Sequence, residues 1–510
     1  MNKKKTRRVG NGRGVFEGWA ASQRADSAID GVGLSLLMLV VFALLAGFIL
    51  VFNRETFSGI WQGQWWAIRS WLIVTALMLV LSTALGLYVA FCQARIVQNH
   101  LRGSVLLASL LVMITASRAG VIQGLSAYLI VVPVMIMAIM MTIAYTQRFA
   151  LGVSSYLALV SVLNLGENPA LFEEALAVLL STGSGMGIAV LCLKEIRTRS
   201  KLIEVCALAA AVVFITVGLA GLWQGLEAGR IWRNSLWAAG GSLSVGFIMQ
   251  GLLPFIERIF RTATSLTLLD YSEATQPLRK RLAVEAPGTF NHSIQIGILS
   301  EAAAEAIGAS GLLCRVGSYY HDVGKLNKPR YFVENQGEML NQHKELSPSM
   351  SRMIIIGHVK DGLELAREYK IPRVLHQFIA THHGTTVVEY FYYEATKQAD
   401  ESGGKITETE FRYPGPKPST QEAAIVMLTD AVESASRALQ DPTPSRIEDV
   451  VHQVAMKRLQ DGQFDECELT MRQLRLIEDS LVRSLCGMYH GRIAYPQQQK
   501  REKKSIEQLV

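Results

Sequence analysis

The chain has 510 residues, half of them hydrophobic, and carries 50 lysines and arginines against 43 aspartates and glutamates, for a net charge of +7. The positive charge is concentrated in the N-terminal tail and in short segments between apolar runs, which argues against a protein that binds a nucleic-acid polymer. The six cysteines are scattered and form no C-x-x-C pair, which argues against a disulfide framework and a thiolate metal site.

The basic tail of residues 1–30 is followed by a region, residues 31–256, that is dominated by long apolar runs. A run of about 18 or more apolar residues is long enough to cross a bilayer as a helix. Buried helices of a soluble protein would require an apolar core through this whole region, so we predict a polytopic membrane domain. Eight spans are predicted: Gly31–Phe52, Trp71–Cys92, Val105–Ser117, Gln123–Tyr145, Phe149–Leu165, Ala175–Leu193, Leu202–Leu222 and Leu236–Ile256.

Lysine and arginine are enriched on one side of the predicted membrane domain. The N-terminal sequence MNKKKTRR and the loop KEIRTRSK at residues 194–201 lie on the same side when eight spans are counted. By the positive-inside rule this side is the cytoplasm. Eight spans also return the chain to that side, so the N-terminus and the chain from residue 257 onward are predicted to be cytoplasmic. The predicted location is the inner or plasma cell membrane.

The rest of the chain reads as an ordinary soluble protein. Residues 257–290 form a predicted connector, residues 291–495 a helical domain, and residues 496–510 a charged tail. Apolar residues spaced by three to four predict a helical bundle, so the fold class is all-α throughout. The predicted helices of the domain are Ile294–Ala306, Leu312–Tyr320, Ser349–Ile356, Leu363–Tyr369, Val374–Thr381, Ala423–Leu439, Ile447–Leu459 and Met471–Tyr489.

One segment of this domain, Tyr390–Pro418, lacks a clear helical pattern. It has a polar, glycine-containing middle and ends in PGPKP, so we predict a long loop of the kind that is often functional. This loop should pack aromatic residues near the functional site and bring two cations with them. The aromatic residues are Phe391, Tyr392 and Tyr413, and the cations are Arg412 and Lys417.

Histidines and aspartates form an ordered series in the helical domain. The series is His292, His321, Asp322, His358, His382, His383 and Asp430. Imidazole nitrogens and carboxylate oxygens suit iron, manganese or zinc. Seven ligands are too many for one ion but fit two ions that share a bridging carboxylate. Paired metals roughly 3.5–4 Å apart are a recurring device for cleaving phosphate esters, so the series predicts a dinuclear phosphohydrolase.

Four further polar residues lie close to the ligand series in the sequence. Lys325 follows Asp322 by one turn, where it can meet a substrate phosphate. Asp361 follows His358 by three residues and either orients that histidine or is a turn residue. Glu433 and Arg437 share a helix face with Asp430, and the pattern leaves open whether they form an ion pair or contact substrate.

Several motifs of the chain, in their order, resemble those of the HD-domain phosphohydrolases. They include Asn291-His292, YYHDVGK, HVKDG, THHGT, FRYPGPKP and VMLTDAVESASR. More narrowly, the chain resembles the membrane-bound cyclic-di-AMP phosphodiesterases of the PgpH type, the seven-transmembrane HD family. That family usually carries a large extracytoplasmic domain between its first two spans, whereas only Asn53–Ser70 connects them here. Regulation that depends on that domain is expected to be absent or moved into the membrane part.

The resemblance implies two divalent ions, iron or manganese, and a set of ligands for each. The first ion would be held by His292, His321, Asp322 and Asp430. The second would be held by Asp322, His358, His382 and His383, with Asp322 as the bridge. The implied reaction is hydrolysis of cyclic di-AMP to linear pApA by a hydroxide bound between the metals.

Roles in that reaction are assigned by the same resemblance and by charge. Asp322 and Lys325 are the expected catalytic residues, and Lys325, Arg412 and Lys417 are the expected contacts to substrate phosphate. Three alternatives stay open: hydrolysis of cyclic di-GMP, hydrolysis of another nucleotide phosphate, and a membrane sensor that binds a nucleotide without catalysis. The first is disfavoured because its Gly-Tyr-Pro triplet does not follow the paired histidines in HHGTTVVEYFYYEA. The partners are therefore a cyclic dinucleotide and the lipid bilayer, and a homodimer is left open.

Overall fold

The computed structural model describes residues 33–51, 54–97, 99–165, 174–193, 196, 198, 200–260, 262–336, 342–402 and 405–490. The chain divides into two compact units, Met1–Phe260 and Arg261–Val510. Both units are helical, and the β-structure of the described residues is one isolated bridge between Val387 and Arg412. The predicted all-α fold class is therefore confirmed. The predicted tails, residues 1–30 and 496–510, lie outside the described residues.

The first unit is an apolar helical bundle. Its described helices are α1 (Gly33–Val51), α2 (Arg54–Trp61), α3 (Trp65–Cys92), α4 (Ala94–Val97), α5 (His100–Ile122), α6 (Val131–Ala144), α7 (Gln147–Leu163), α8 (Ala175–Cys192), α9 (Ser200–Trp223) and α10 (Ala228–Phe260). A short 3₁₀ turn, Ala127–Ile130, leads into α6. The predicted connection Asn53–Ser70 contains α2 and the first residues of α3.

Seven helices among the described residues are long and apolar enough to cross a membrane, which makes this a multi-pass membrane protein. They are α1, α3, α5, α6 with its preceding 3₁₀ turn, α8, α9 and α10. The remaining predicted span, Phe149–Leu165, is the fifth in chain order and corresponds to α7, a shorter apolar helix of 17 residues. One face of α7 is buried in the bundle through Phe149, Val153 and Leu157, and α7 is joined to α3 by a 3.1 Å contact between the hydroxyls of Tyr156 and Ser82.

The second unit is a helical bundle with ten described α-helices. They are α11 (Ser265–Ser272), α12 (Pro277–Glu285), α13 (Pro287–Ala306), α14 (Gly311–Tyr320), α15 (Pro348–Glu368), α16 (Arg373–Thr381), α17 (Glu389–Ser402), α18 (Gln421–Arg437), α19 (Pro444–Gln460) and α20 (Met471–His490). Side-chain caps fix the starts of several helices: Ser310, Ser347, Thr420 and Thr443 each accept a hydrogen bond from the backbone N–H three residues later.

Three features of the second unit differ from the sequence expectation. The predicted helices Ser349–Ile356 and Leu363–Tyr369 are one continuous helix, α15, because the glycines between them are accommodated within it. The predicted connector contains α11 and α12. The prediction of a loop over Tyr390–Pro418 is wrong in its first half, where α17 forms, while residues from 405 onward are largely irregular apart from a 3₁₀ turn at Glu408–Phe411.

A close backbone approach brings the His321-Asp322 pair to α15. The 3₁₀ turn Val323–Asn327 begins directly after Asp322 and packs on α15. A β-carbon on Gly324 would lie 1.8 Å from the carbonyl oxygen of His358, so no side chain fits at that position. Gly362 lies one turn further along α15 and its backbone also faces Gly324. The turn and the helix are thus fixed in contact where the candidate ligands meet.

Candidate metal centre

The candidate ligands come from five places in the second unit and meet in its interior. His292 lies on α13, the His321-Asp322 pair follows α14, His358 is in the middle of α15, the His382-His383 pair follows α16, and Asp430 lies on α18. These helices pack around a core that includes Leu299, Tyr320, Phe378 and Met427, and the ligands are on their buried faces. All but His383 are less than a tenth exposed as residues.

The ligand atoms form two groups that share one residue. Asp322, His358, His382 and His383 offer atoms that all lie within 4.8 Å of one another, and so do His292, His321 and Asp322. The seventh predicted ligand lies beside the latter group: Asp430 Oδ1 is 3.0 Å from His292 Nε2 and 3.8 Å from His321 Nε2. The structure thus brings all seven residues together.

The two oxygens of Asp322 face different groups. Oδ2 lies 3.3 Å from His321 Nε2 and 3.8 Å from His292 Nε2. Oδ1 lies 3.4 Å from His358 Nε2 and 3.5 Å from His382 Nε2. This is the arrangement that a carboxylate needs if it is to bridge two ions.

Hydrogen bonds select the tautomer of four imidazoles. Nδ1 of His321 donates to the Ser318 carbonyl at 2.6 Å, and Nδ1 of His358 to the Ile355 carbonyl at 2.5 Å. Nδ1 of His382 donates to the carbonyls of Phe378 and Ile379, both at 3.0 Å. Nδ1 of His292 donates to the Glu433 carboxylate at 2.9 Å. Because Nδ1 is committed to a hydrogen bond in each, Nε2 is the nitrogen that faces the centre and is left for a metal ion, as in other metal-binding histidines.

Unsatisfied atoms show that this donor set fits cations. Asp322 Oδ1 and His321 Nε2 are buried and have no hydrogen-bond partner. The Nε2 atoms of His358 and His382 lie 3.1 Å apart, and with both Nδ1 atoms protonated two lone pairs face each other. A divalent cation coordinated by these atoms removes both costs. The residues present therefore fit one ion in each group.

Burial and charge set the protonation of the ligands. Burial and the neighbouring His382 lower the pKa of His358 to about 3, so this imidazole is neutral near pH 7. Burial also lowers the pKa of His321, but the carboxylates of Asp322 and Asp430 outweigh it and raise that pKa to about 10. A metal ion must therefore displace a proton at His321 but not at His358.

Lys325 lies at the centre, as predicted, and is already paired. Its Nζ is 2.7 Å from Asp322 Oδ2 and 2.8 Å from Glu334 Oε1. Glu334 also accepts a hydrogen bond from the Thr289 hydroxyl at 2.9 Å, which ties the start of α13 to the ligand turn. Burial lowers the pKa of Lys325, but the two carboxylates outweigh it and raise the pKa above its usual value, so the ammonium stays charged.

Only one of the three aromatic residues that were predicted to lie near the site, from the segment Tyr390–Pro418, is at the centre. The Tyr413 ring stacks on His383 with centroids 4.3 Å apart. Phe391 instead packs on His343, and Tyr392 packs on Phe411.

The two predicted phosphate-binding cations of this segment are engaged elsewhere. Arg412 pairs with Asp461 at 2.8 Å and with Glu408 at 2.6 Å. Lys417 pairs with Asp465 at 3.3 Å. Their role as substrate contacts stays a prediction, and both have a structural role in the bundle.

Two of the open sequence questions have a structural answer, and one residue was missed. Glu433 supports His292 and pairs with Arg437, so it orients a candidate ligand. His358 is oriented by a main-chain carbonyl, which leaves Asp361 without that task. Arg458, on α19, interacts electrostatically with Asp430 and Tyr413 and belongs to no motif that the sequence predicted as functional.

The fold and the site define a multi-pass membrane protein whose second unit brings together histidines and aspartates that could hold metal ions. The family model described as "HD domain" matches residues 289–435, and the model described as "7TM receptor with intracellular HD hydrolase" matches residues 68–264. The chain belongs to this family of seven-transmembrane HD proteins.

Similar proteins with a stated activity are found in two bacteria. The "Cyclic-di-AMP phosphodiesterase PgpH" of Bacillus subtilis is 40% identical over 380 residues, which are 73% of this chain and 52% of that protein. The protein of the same name in Listeria monocytogenes is 40% identical over 52% of this chain and 37% of that protein. The chain thus spans about half the length, or less, of these relatives. A crystal structure of the Listeria monocytogenes PgpH HD domain in complex with cyclic-di-AMP is 42% identical, covers 43% of this chain and 100% of that chain, and has a TM-score of 0.40.

Proposed function

We propose that this protein is a metal-dependent phosphodiesterase that hydrolyses cyclic di-AMP to linear pApA on the cytoplasmic face of the membrane. The observation that carries the proposal is the pair of ligand groups that share Asp322. A dinuclear centre of nitrogen and oxygen donors is suited to splitting phosphate esters. The choice of cyclic di-AMP rests on the activity stated for the relatives in Bacillus subtilis and Listeria monocytogenes.

The residues of the centre have distinct tasks in this proposal. His292, His321, Asp322 and Asp430 hold one ion, and Asp322, His358, His382 and His383 hold the other. Two divalent ions, when bound, lower the pKa of water so that hydroxide forms near neutral pH, and they neutralise charge on the phosphodiester. Lys325 keeps its ammonium beside Asp322, where it fixes the bridging carboxylate and faces the position of the anionic substrate. Tyr413 closes one side of the centre over His383 and limits access of water.

Iron or manganese is the proposed resident metal. Imidazole and carboxylate donors accept both, and thiolates, which would favour zinc, are absent from the ligand set. Metal analysis of protein purified from its own host under oxygen-free conditions tests this assignment. Zinc as the main metal in active protein would contradict it.

The N-terminus and the second unit are proposed to lie on the same, cytoplasmic side. This arrangement needs an even number of crossings, and therefore requires α7 to cross as well. At about 1.5 Å per residue a helix of 17 residues extends roughly 26 Å, close to the hydrocarbon thickness of about 30 Å. Reporter fusions after residue 146 and after residue 165 should report opposite sides of the membrane. The same side for both fusions would refute an eight-span topology.

The catalytic proposal is tested with the full-length protein in detergent, loaded with manganese or iron. Cyclic di-AMP, cyclic di-GMP and a phosphomonoester nucleotide are supplied separately, and products are identified by mass spectrometry. We expect pApA from cyclic di-AMP and no product from the Asp322→Ala variant. Turnover of cyclic di-GMP alone would change the assigned substrate, and two bound metals without turnover would favour a nucleotide sensor. The molar mass of the same sample tests for a homodimer.

A further inference from the structure

Most cations around the metal centre are neutralised within the chain. Each has a carboxylate partner: Lys325 with Asp322 and Glu334, Arg412 with Asp461 and Glu408, Lys417 with Asp465, Arg437 with Glu433, and Lys457 with Glu389. A cation that already has a close carboxylate must give up that contact, or share it, in order to bind a phosphate. These five side chains therefore offer less free charge to an anionic ligand than an unpaired cation would, although Lys325 still faces the centre.

Arg458 is different from these five cations. Within the described part of the chain its guanidinium has no ion pair and no hydrogen bond, and its Nε atom is buried without a partner. Burial of this Nε–H without a partner is unfavourable, because the group loses water and gains nothing in return. A residue kept in such a state is suited to a partner that arrives from outside the chain.

The position of Arg458 is fixed against the loop that carries the paired histidines. Arg458 lies in the last turn of α19, and its carbonyl accepts a hydrogen bond from Gln463 N at 3.0 Å. The Gln463 side chain accepts from Thr385 N at 2.9 Å and donates to the Thr385 hydroxyl at 2.9 Å. Thr385 is two residues after His383, so the end of α19 and the histidine loop are held together.

The charges that act on Arg458 include groups of the centre. Burial lowers the pKa of Arg458, and among the groups that oppose this effect Asp430 is the strongest. Tyr413, the ring that stacks on His383, is another of these groups. Asp430 is a proposed metal ligand, so its charge is committed to an ion once the centre is loaded. Glu389 and Asp461 also act on Arg458, but they are paired with Lys457 and Arg412, so the guanidinium has no carboxylate of its own among the described residues.

We propose that Arg458 binds a phosphate oxygen of the dinucleotide substrate, next to the metal ions. The inference rests on the proposed function for the identity of the substrate, but the anion site itself follows from the geometry of α19 and the histidine loop. A guanidinium presents several N–H groups in one plane and matches two phosphate oxygens at once, which a lysine ammonium does not. Arg412, in contrast, is a brace: it donates to the Thr385 carbonyl at 2.7 Å and pairs with Asp461.

The adjacent residue offers a matched control. Lys457 lies on the same helix, and its Nζ pairs with Glu389 Oε1 at 2.6 Å with both side chains exposed. Lys457→Gln and Arg458→Gln therefore remove the same charge one position apart. Arg458→Lys keeps the charge and removes the planar fork. All three are compared with the wild type as full-length, metal-loaded protein in detergent.

For cyclic di-AMP, Arg458→Gln is expected to raise KM about tenfold or more, Arg458→Lys by less, and Lys457→Gln to leave KM unchanged. The salt dependence of KM should become weaker in Arg458→Gln alone. Arg458→Gln should also retain both metals and the melting temperature of the wild type, because the guanidinium has no partner to lose. A wild-type KM in Arg458→Gln would overturn the inference, and so would loss of metal or of thermal stability, which would indicate a structural role.

Inorganic phosphate separates this inference from the proposed function. Phosphate should raise the melting temperature of the metal-loaded wild type, and Arg458→Gln should need about tenfold more phosphate for the same increase. Equal phosphate requirements in Arg458→Gln and Lys457→Gln would refute the anion site. If no dinucleotide is hydrolysed by the wild type but the phosphate difference is present, the proposed function fails and the anion site stands.

Discussion

Replacement of Glu433 should weaken the binding of one metal ion and leave the binding of the other unchanged. Glu433 is the acceptor for His292 Nδ1 at 2.9 Å and is almost fully buried. The imidazoles of His321, His358 and His382 donate to main-chain carbonyls instead, so no other single substitution of an acceptor has the same effect. In Glu433→Leu the side-chain volume is nearly kept, the acceptor is lost, and Nδ1 no longer has a partner that fixes its hydrogen.

The size of the effect follows from two opposing terms. Loss of a carboxylate that orients a ligand histidine typically costs 10- to 100-fold in metal affinity, about 1.4 to 2.7 kcal/mol. Burial lowers the pKa of His292, while Asp430 and Glu433 raise it above its ordinary value. Without Glu433 this pKa falls, and a metal ion then competes with less protonation at pH 7. We therefore expect a loss near the lower limit, about tenfold.

Titration of metal-stripped, full-length protein with Mn²⁺ in a calorimeter measures the two affinities separately. Glu433→Leu should weaken one binding step about tenfold and leave the other within about twofold. Glu433→Gln, which keeps an acceptor oxygen, should fall between this variant and the wild type. Glu422→Gln is the control, because Glu422 lies on the same helix and accepts from Ser310 N at 3.2 Å. Equal weakening of both steps, or of neither, would refute the assignment of Glu433 to one ion.

Asp322→Ala should lose nearly all activity and bind neither ion tightly, as measured by turnover and metal content; substantial activity in a metal-replete assay would contradict a shared carboxylate. Gly324→Ala should lower the melting temperature by several degrees, since its β-carbon would collide with a carbonyl at 1.8 Å and overpacking costs about 1–3 kcal/mol. Gly357→Ala, with nothing within 4 Å, should instead be neutral or stabilising. Raising the pH from 6 to 8 should tighten metal binding about tenfold per unit at the group with His321, whose raised pKa means that a proton leaves as the ion binds. The group with His358 is already neutral at that residue and should respond less, so a calorimetric titration at three pH values that showed equal slopes would contradict the protonation pattern.

The spacing of histidines and aspartates was sufficient to select the residues that meet at the centre. Imidazole and carboxylate side chains in this order have few other uses, and the motifs around them are specific. Sequence reasoning was weaker for side chains whose partners lie far along the chain. Arg412 was expected to contact the substrate phosphate, yet it pairs with Asp461, 49 residues later in the chain. The motif FRYPGPKP does not indicate that pairing. Arg458 belongs to no motif. Only the three-dimensional structure shows that its side chain has no ion pair or hydrogen bond among the described residues.

Secondary structure was predictable where apolar spacing was strong. The segment that forms α17 is rich in polar and aromatic residues and is followed by two glycines, so its pattern favoured a loop. It forms a helix because it packs against α15. The sequence predicted two helices where α15 is continuous, and Gly357 and Gly362 lie between them. Gly362 is tolerated there because its backbone lies against Gly324 and a side chain would collide with Ile379, so close packing offsets the low helix propensity of glycine.

The hydrogen bonds that join the end of α19 to the histidine loop show how far along the chain the support of the candidate centre extends. The family match for the HD domain stops at residue 435. Asp461 and Gln463, which hold Arg412 and Thr385, lie beyond that limit. A fragment cut at the domain boundary would keep all seven candidate ligands and still lose the support of the loop after His383. In this chain the helices that support the candidate metal centre therefore extend beyond residue 435, as far as α19 and the turn that follows it.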